Sequence, residues 1–446
     1  MKGVAPVNVN SSGVGLNTAQ SLISYTNVPP TLPTNVIAWV GIKVNNAQST
    51  SIATTTPVRI TVNSNTFNSY LASNLKNVCF FDSSGTVLYS WLESGETNSS
   101  TSTVYWVLPS ATIAANTTTT IYMGMAATTT ALIDGVKVGA EPNWAGGTYG
   151  QYDNGATIFS FYDNFAGTTT STTNWTITGT PTQSNGINLS ATAYITQKTG
   201  TFNAQASVAE TFGYASTASS GNGEWFEVEN STYNFGIDST TTTNSVLPIN
   251  YNGAVGVGTA YTASTSASHI HGLFGSSTGS YFAYDYTFMQ SNLTTDYPQI
   301  TSGAMIRLGG ATNTATQFFQ WTRVRPQLPN NDTNPTITAS TVINNTSNPI
   351  TLGTTFTQLA SASFTPNASG IVLISAYGVM SSLTDATQLQ LLNGSTVVET
   401  VAQADKIFAV VSGLTIGTPI TINLKGQSAS GTDTYRPTLI TIEELY

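Results

Sequence analysis

The sequence predicts an all-β fold: a multidomain β-sandwich and jelly-roll protein with an extended N-terminal arm. Three observations carry this. Helix signals are nearly absent along the 446 residues. Stretches rich in Val, Ile, Thr and Tyr recur with period two, as in "PVRITVNS" (57–64), "TVYWVLPS" (103–110) and "TTTIYMGM" (118–125). That alternation writes a strand with one face buried. Clusters of Gly, Asn, Ser and Asp separate these stretches without a fixed repeat, which is the pattern of a sandwich.

Taken in order, residues 1–34 are rich in Pro, Asn and Ser, close on "NVPPTLPTN", and read as an extended arm. A first β-sandwich is expected over 35–135. Within it, "LKNVCFFDSSGTVLYSWLES" (75–94) reads as a hairpin. Val78, Phe80 and Val87 flank the turn Asp82–Gly85, where Asp accepts backbone N–H bonds and Gly takes positive φ. Cys79 reads as a small buried apolar residue. As the single cysteine it permits no intrachain disulfide. A second β domain is expected over 136–328, entered through the Gly-rich bridge "DGVKVGAEPNWAGGTYGQYDNGA" (134–156). "PNNDTNP" (329–335) reads as a polar linker bounded by proline. A C-terminal β-sandwich is expected over 336–446. Its hairpin signal is an Asn393-Gly394 turn between "QLQLL" and "STVVETV". Its last strand, "RPTLITIEELY", alternates Leu439, Thr441 and Glu443 with Ile440, Ile442 and Glu444, so both of its faces should be covered.

Composition narrows the function. Charged residues make up 7% of the chain, against about a quarter in ordinary globular proteins. The net charge is −9, from 12 basic and 21 acidic residues. The closest basic pair is Arg323/Arg325, so no basic patch exists and a nucleic-acid partner is not expected. Ser, Thr and Asn fill the gap. Their hydrogen bonds do not titrate, whereas ion pairs fade in acid. Such a surface keeps its chemistry down to about pH 2–3, below the carboxylate reference values. We read an exterior protein suited to an acidic medium, with few buried ion pairs and a stability that changes little with pH. The N-terminus lacks the apolar core of a signal peptide, and no apolar stretch reaches about 18 residues, so no membrane span is expected. Glycosylation sequons stand at Asn98, Asn116, Asn174, Asn188, Asn230, Asn292, Asn331, Asn367 and Asn393.

Several longer strings carry a resemblance. They are "SNLKNVCFFDSSGTVLYSWLES", "STVYWVLPSATIAANTTTTIYMGM", "DGVKVGAEP", "YGQYDNGATIFSFYDNFAGTTTSTTNWTITG" and "FFQWTRVRPQLPNN". Together they resemble the β-sandwiches of domain-of-unknown-function family 2341. The run over about 35–330 is similar to surface proteins of thermoacidophilic archaea and their viruses. The resemblance implies a concanavalin-like jelly roll following, or interleaved with, the first sandwich. It also implies an exterior location, and it brings no catalytic residues.

The strongest site motif is "GEWFEVEN" (223–230). In a strand Trp225, Glu227 and Glu229 share one face, and Phe226 and Val228 the other. Concanavalin-like glycoside hydrolases carry a somewhat similar acidic alternation, with acid and nucleophile four residues apart. Retaining hydrolysis needs two carboxyls about 5–5.5 Å apart. Four positions before Glu229 stands Trp225, which is not acidic, so no catalytic residue is expected. Trp225, Glu227 and Glu229 read instead as a ligand-binding face for a sugar or as a solvated strand face. In "SYFAYDYTF" (280–288), Phe282, Tyr284, Tyr286 and Phe288 alternate; such a ladder reads first as core or subunit interface, and Tyr284 and Tyr286 also as a stacking platform for a sugar. His269 and His271 share a strand face without an evident third ligand, so neither metal nor cofactor is expected. No nucleophile elbow, P-loop, dinucleotide fingerprint or zinc motif occurs.

These readings converge on a non-enzymatic structural and adhesion protein, located on a virion surface or on the extracellular cell surface. The form expected first is a spike or turret component of an archaeal virus that attaches to host glycans or proteins. A cellular surface-layer, filament or adhesin subunit and a secreted glycoside hydrolase are the alternatives. The arm and the C-terminal domain are expected to join subunits into a homo-oligomer.

Overall fold

The computed structural model describes residues 30–444 apart from 191, 219–222, 311–314, 340–343, 346–349, 352–354, 367–369, 381–386, 403–405 and 430–433. Most of the expected arm and the sequon at Asn367 lie outside the described residues. The described residues are nearly all β, arranged as six sheets. It is a multidomain β-sandwich protein.

In the first sandwich, one sheet runs in the order Thr336–Ala339, Ala38–Asn46, Thr117–Met125, Val78–Phe81. The other runs Val58–Val62, Thr103–Val107, Ser90–Ser94, Val138–Ala140. Period-two patterning does what it should: Val40, Ile42 and Val44 from one sheet meet Val58, Ile60 and Val62 from the other in the core. The chain comes back to this sandwich late, because Thr336–Ala339 pairs with Ile42–Asn45. In the 81–87 turn, Asp82 Oδ1 accepts the backbone N–H groups of Ser84 at 2.9 Å and Thr86 at 3.1 Å. Gly85 takes φ +85°. Asp82 is therefore a turn residue. Cys79 is buried, and desolvation pushes its thiol up to about 12, so it is an inert packing residue.

The jelly roll consists of two eight-stranded sheets. One contains Ser207–Ala215, Gln317–Pro326, His269–Gly275, Ser280–Tyr284 and Thr287–Leu293. The other contains Ser245–Tyr251, Asn234–Ser239, Gly223–Glu229, Met305–Gly309 and Tyr194–Gln197. Trp175, Trp225, Phe226, Phe235, Phe282 and Phe319 fill the space between them.

The C-terminal sandwich packs two four-stranded sheets around Val372, Ile374, Leu389, Leu391, Ile422 and Leu424. The last strand, Thr434–Glu444, lies between Ile350–Thr351 and Val372–Met380, so it has a neighbour on each edge. The 388–402 hairpin forms, but one residue later than its sequence signal suggests. Asn393 pairs with Thr396, which leaves Gly394-Ser395 as the turn. Gly394 supplies the positive φ, at +60°, so the turn settles where glycine stands first.

The first sandwich and the jelly roll share a core of their own. Trp91, Trp106, Ile158, Phe159, Ile270 and Trp321 form one buried cluster. At its centre stands Arg323, whose guanidinium lies 4.5–5.3 Å from the rings of Trp91, Trp106, Phe159 and Trp321. Arg323 bonds Glu210 at 2.6 Å and Glu93 at 2.8 Å. Arg325 bonds Glu210 at 2.8 Å and grips Asp332 with two contacts of 2.6 Å. Through Asp332, and through Asn334 bonded to Arg59, the 329–335 segment is pinned to both units. This buried network corrects the expectation of few buried ion pairs. A chain with few charges has here concentrated them at one interface. Burial alone would raise the Glu210 carboxyl, but Arg323 and Arg325 outweigh it and hold it down at about 2.

Candidate functional site

The Gly223–Glu229 strand is not an unbroken strand. Its ladder with Asn234–Ser239 slips by one residue: Glu224 faces Asp238, whereas Phe226 faces Ile237. Trp225 is the extra residue of a β-bulge. It turns inward with Phe226 and Val228, fully buried, its ring 4.4 Å from that of His271. This corrects the reading of Trp225 as part of the binding face. The bulge also changes the acidic spacing. Glu224 takes the place that a regular alternation gives to Trp225, so Glu224, Glu227 and Glu229 project from the outer face. Glu224 and Glu229 pair with Asp238 and Asn234, four ladder positions apart.

Around them, the face is polar and closely held. Arg307 sits on the neighbouring strand directly opposite Glu227. Its Nη1 lies 3.5 Å from Glu227 Oε2 and 3.5 Å from Glu229 Oε2. Its guanidinium stacks 4.4 Å from the Tyr194 ring. Asn234 Nδ2 donates to Glu227 Oε1 at 3.1 Å, and Thr196 Oγ1 donates to Glu229 Oε1 at 3.2 Å. Gly236 lies across from Glu227, where a Cβ would come within 2.7 Å of Glu227 Cγ. Among the described residues, Asn234 Oδ1, Asp238 Oδ1 and Arg307 Nε are buried without a hydrogen-bond partner, and Glu227 Oε2 has only its ion pair with Arg307.

Burial dominates the electrostatics. Desolvation raises Glu227 well above the carboxylate range, and Arg307 at 3.5 Å only partly opposes it. Glu229 is raised for the same reason. Burial, and then the charge of Glu224, raise Asp238 to about 7. The face therefore holds protons near neutral pH and can donate as well as accept hydrogen bonds.

The aromatic ladder breaks in two. Asp285 and Tyr286 both take positive φ, 45° and 65°, and form the turn between Ser280–Tyr284 and Thr287–Leu293. Tyr286 thereby leaves the strand. Its hydroxyl bonds Glu93 and Arg323, and its ring lies 3.7 Å from the Arg59 guanidinium. It belongs to the interface network, not to a sugar platform. Tyr284 remains half-buried and stacks on His269 at 4.8 Å. His269 Nδ1 lies 2.8 Å from Asp285 Oδ2. His271 is buried, and desolvation lowers it to about 3, so its imidazole is neutral. Among the described residues no group of three or more His, Cys, Asp or Glu is placed to hold a metal ion. Of the sequons, Asn116, Asn292 and Asn331 are exposed, while Asn98, Asn174, Asn188, Asn230 and Asn393 are half-buried.

Residues 74–178 match a family described as a domain of unknown function (DUF2341). No curated protein matches the chain. Among solved structures, the Bacillus licheniformis β-glucanase is 14% identical, with a TM-score of 0.31 over 37% of this chain and 97% of that one. The Pyrococcus furiosus endo-β-1,3-glucanase is 12% identical, with a TM-score of 0.32 over 38% of this chain and 94% of that one. The Crh5 transglycosylase is 14% identical, with a TM-score of 0.31 over 38% of this chain and 85% of that one.

Proposed function

We propose that this is a non-enzymatic exterior adhesion protein whose jelly-roll face binds a glycan. The observation that carries the reading is the set of polar atoms at Asn234, Asp238 and Arg307 left without a hydrogen-bond partner beside the Glu227–Arg307 pair. Two accept and one donates, and a polyhydroxyl ligand complements both kinds. Arg307, shared between Glu227 and Glu229, favours fixed recognition over proton transfer. Titration with oligosaccharides from archaeal envelopes tests it. Saturable binding is expected, weakened about tenfold or more by Arg307→Met, the loss expected for a hydrogen bond to a charged group. Absence of binding, or binding that Arg307→Met leaves unchanged, would overturn the assignment.

The bulge favours a second reading, a glycoside hydrolase using Glu224 and Glu229. Release of reducing sugar, abolished by Glu224→Gln with the fold intact, would replace the first reading by this one.

The sparse charge and the resemblance over about 35–330 support placing the protein on an archaeal virion as a spike or turret component. Negative-stain imaging of the native particle distinguishes this from a cellular surface layer or filament. Such a component is a homo-oligomer. Light scattering should show a multimer at micromolar concentration, lost in a chain without residues 1–34 or ending near 330.

A further inference from the structure

Away from the jelly-roll face, a cavity of about 400 Å³ opens between the first sandwich and the jelly roll. That volume lies within the ~300–1,000 Å³ of small-molecule sites. Glu93, Glu96 and Glu141 line it from the first sandwich and its exit, and Phe212, Gln320 and Trp321 from the jelly roll. Its two sides differ in chemistry. Phe212 and Trp321 stack at 5.6 Å with 21° between their planes and form an aromatic wall. Opposite are three carboxyls.

These carboxyls are incompletely satisfied. The Glu93 side chain is 2% exposed. Its Oε2 is crowded, accepting from Trp106 Nε1 at 2.7 Å, from Arg323 and from Tyr286. Its Oε1 is buried and has no partner. Glu96 Oε1 is likewise buried and without a partner. Burial raises both Glu96, to about 6, and Glu141, to about 8, and the charge of Glu96 adds to the rise of Glu141. Gln320 Nε2 donates to Glu141 Oε2 at 3.0 Å and fixes that carboxyl from the jelly-roll side. A buried acceptor left unpaired beside a cavity calls for a donor. In the aromatic wall Trp321 already faces Arg323 at 4.6 Å, and Phe212 offers the further π face, which attracts a cation.

We infer that this interdomain cavity binds a small organic cation, an ammonium or guanidinium group on a short apolar stem. The charged head meets Glu93 Oε1, Glu96 and Glu141, and the stem lies on Phe212 and Trp321. The head belongs either to a free amine or to a Lys or Arg side chain of a partner protein.

Binding is coupled to protons. A bound cation favours the ionised forms of Glu96 and Glu141, which burial raises, so affinity rises with pH. The other charged or titratable groups near the cavity are Arg323, Asp153, Tyr105 and Tyr149. Arg323 stays charged, and burial raises all three others. The tyrosines therefore remain neutral across pH 5–8, and the raised carboxyls, Glu96 and Glu141 together with Asp153, set the dependence, all with the same sign.

Calorimetric titration of the full chain with butylammonium and agmatine, at pH 5 and pH 8, tests this, with glucose as the neutral control. We expect saturable 1:1 binding of at least one cation, tighter at pH 8, and none of glucose. Glu96→Gln and Glu141→Gln, each first shown to unfold cooperatively, should weaken it about tenfold, the loss expected for a charge-assisted hydrogen bond. A second arm uses end-blocked Gly-Lys-Gly and Gly-Arg-Gly. Binding of the peptides as well as the amines assigns the head to a protein side chain, and binding of the amines alone assigns it to a free ligand. No saturable binding of either cation, equal binding of glucose, or affinity unchanged in both variants would overturn the proposal. So would a pH dependence of the opposite sign.

Discussion

Arg323→Ala is expected to loosen the first sandwich from the jelly roll and to destabilise the chain by about 3–5 kcal/mol, the range for removing one partner of a buried ion pair. In a unit of this size that corresponds to a fall in Tm of roughly 5–10 °C. Arg323 is fully buried. Removing it leaves Glu210 and Glu93 buried with less compensation: Glu210 keeps Arg325, whereas the cation paired with Glu93 is Arg323 itself. It also empties the cage formed by Trp91, Trp106, Phe159 and Trp321. Arg323→Met separates the two effects, because it refills the cage and still strands the carboxylates. Adding Glu93→Gln and Glu210→Gln to Arg323→Met removes both charges and should recover much of the loss, as buried ion pairs replaced by neutral groups often do. Calorimetry, with limited proteolysis to detect separation, measures all three. A fall of less than about 2 °C for Arg323→Ala, well under one typical buried-pair penalty, would show that the aromatic cluster alone joins the units.

Much of the fold is legible in the sequence because its information is local. Alternation at 38–46, 58–62 and 117–125 states both strand and buried face, and Asp82 with Gly85 states a turn. What escapes is set by neighbours in space. The bulge at Trp225 depends on how two strands pair, and it reverses the face of Trp225 and brings Glu224 into line with Glu227 and Glu229. Nothing in "GEWFEVEN" requires it. Tyr286 looks like the next rung of a ladder, yet Asp285-Tyr286 turns the chain. A polar Asp before an aromatic is a weak signal for a turn, so the ring's role between two domains is not readable. Arg323 and Arg325 stand out as the closest basic pair and can be singled out from charge alone. Their partners Glu93, Glu210 and Asp332 lie up to 230 positions away from Arg323 in sequence, and no local pattern joins them. Glu96 and Glu141 escape for the same reason.

Stability is expected to peak in mild acid, near pH 5, and not to stay flat. Two sets of carboxyls act in opposite directions. Glu227, Asp238, Glu96 and Glu141 are raised above their ordinary values, all chiefly by burial. The folded chain binds protons at these sites more tightly than the unfolded chain. Their contribution is complete below the unfolded carboxylate values and is lost as pH rises through the folded ones, about 7 for Asp238. Glu210 is held down at about 2. Its contribution is complete above the ordinary carboxylate range and is lost as pH falls through about 2. Between roughly pH 4 and 6 both sets are favourable. We therefore expect Tm to rise by about 5 °C from pH 8 to pH 5, a few kcal/mol of proton linkage. It should fall again below about pH 4, as Glu210 gives up its pairing with Arg323 and Arg325. Asp238→Asn supplies the control. It mimics the protonated form, so it should keep the pH 5 stability and flatten part of the decline towards pH 8. Scanning calorimetry across pH 2–9 reads the whole curve. A Tm that is level or rising from pH 5 to pH 8, or an Asp238→Asn variant with an unchanged slope, would show that these buried carboxyls do not govern the response to pH.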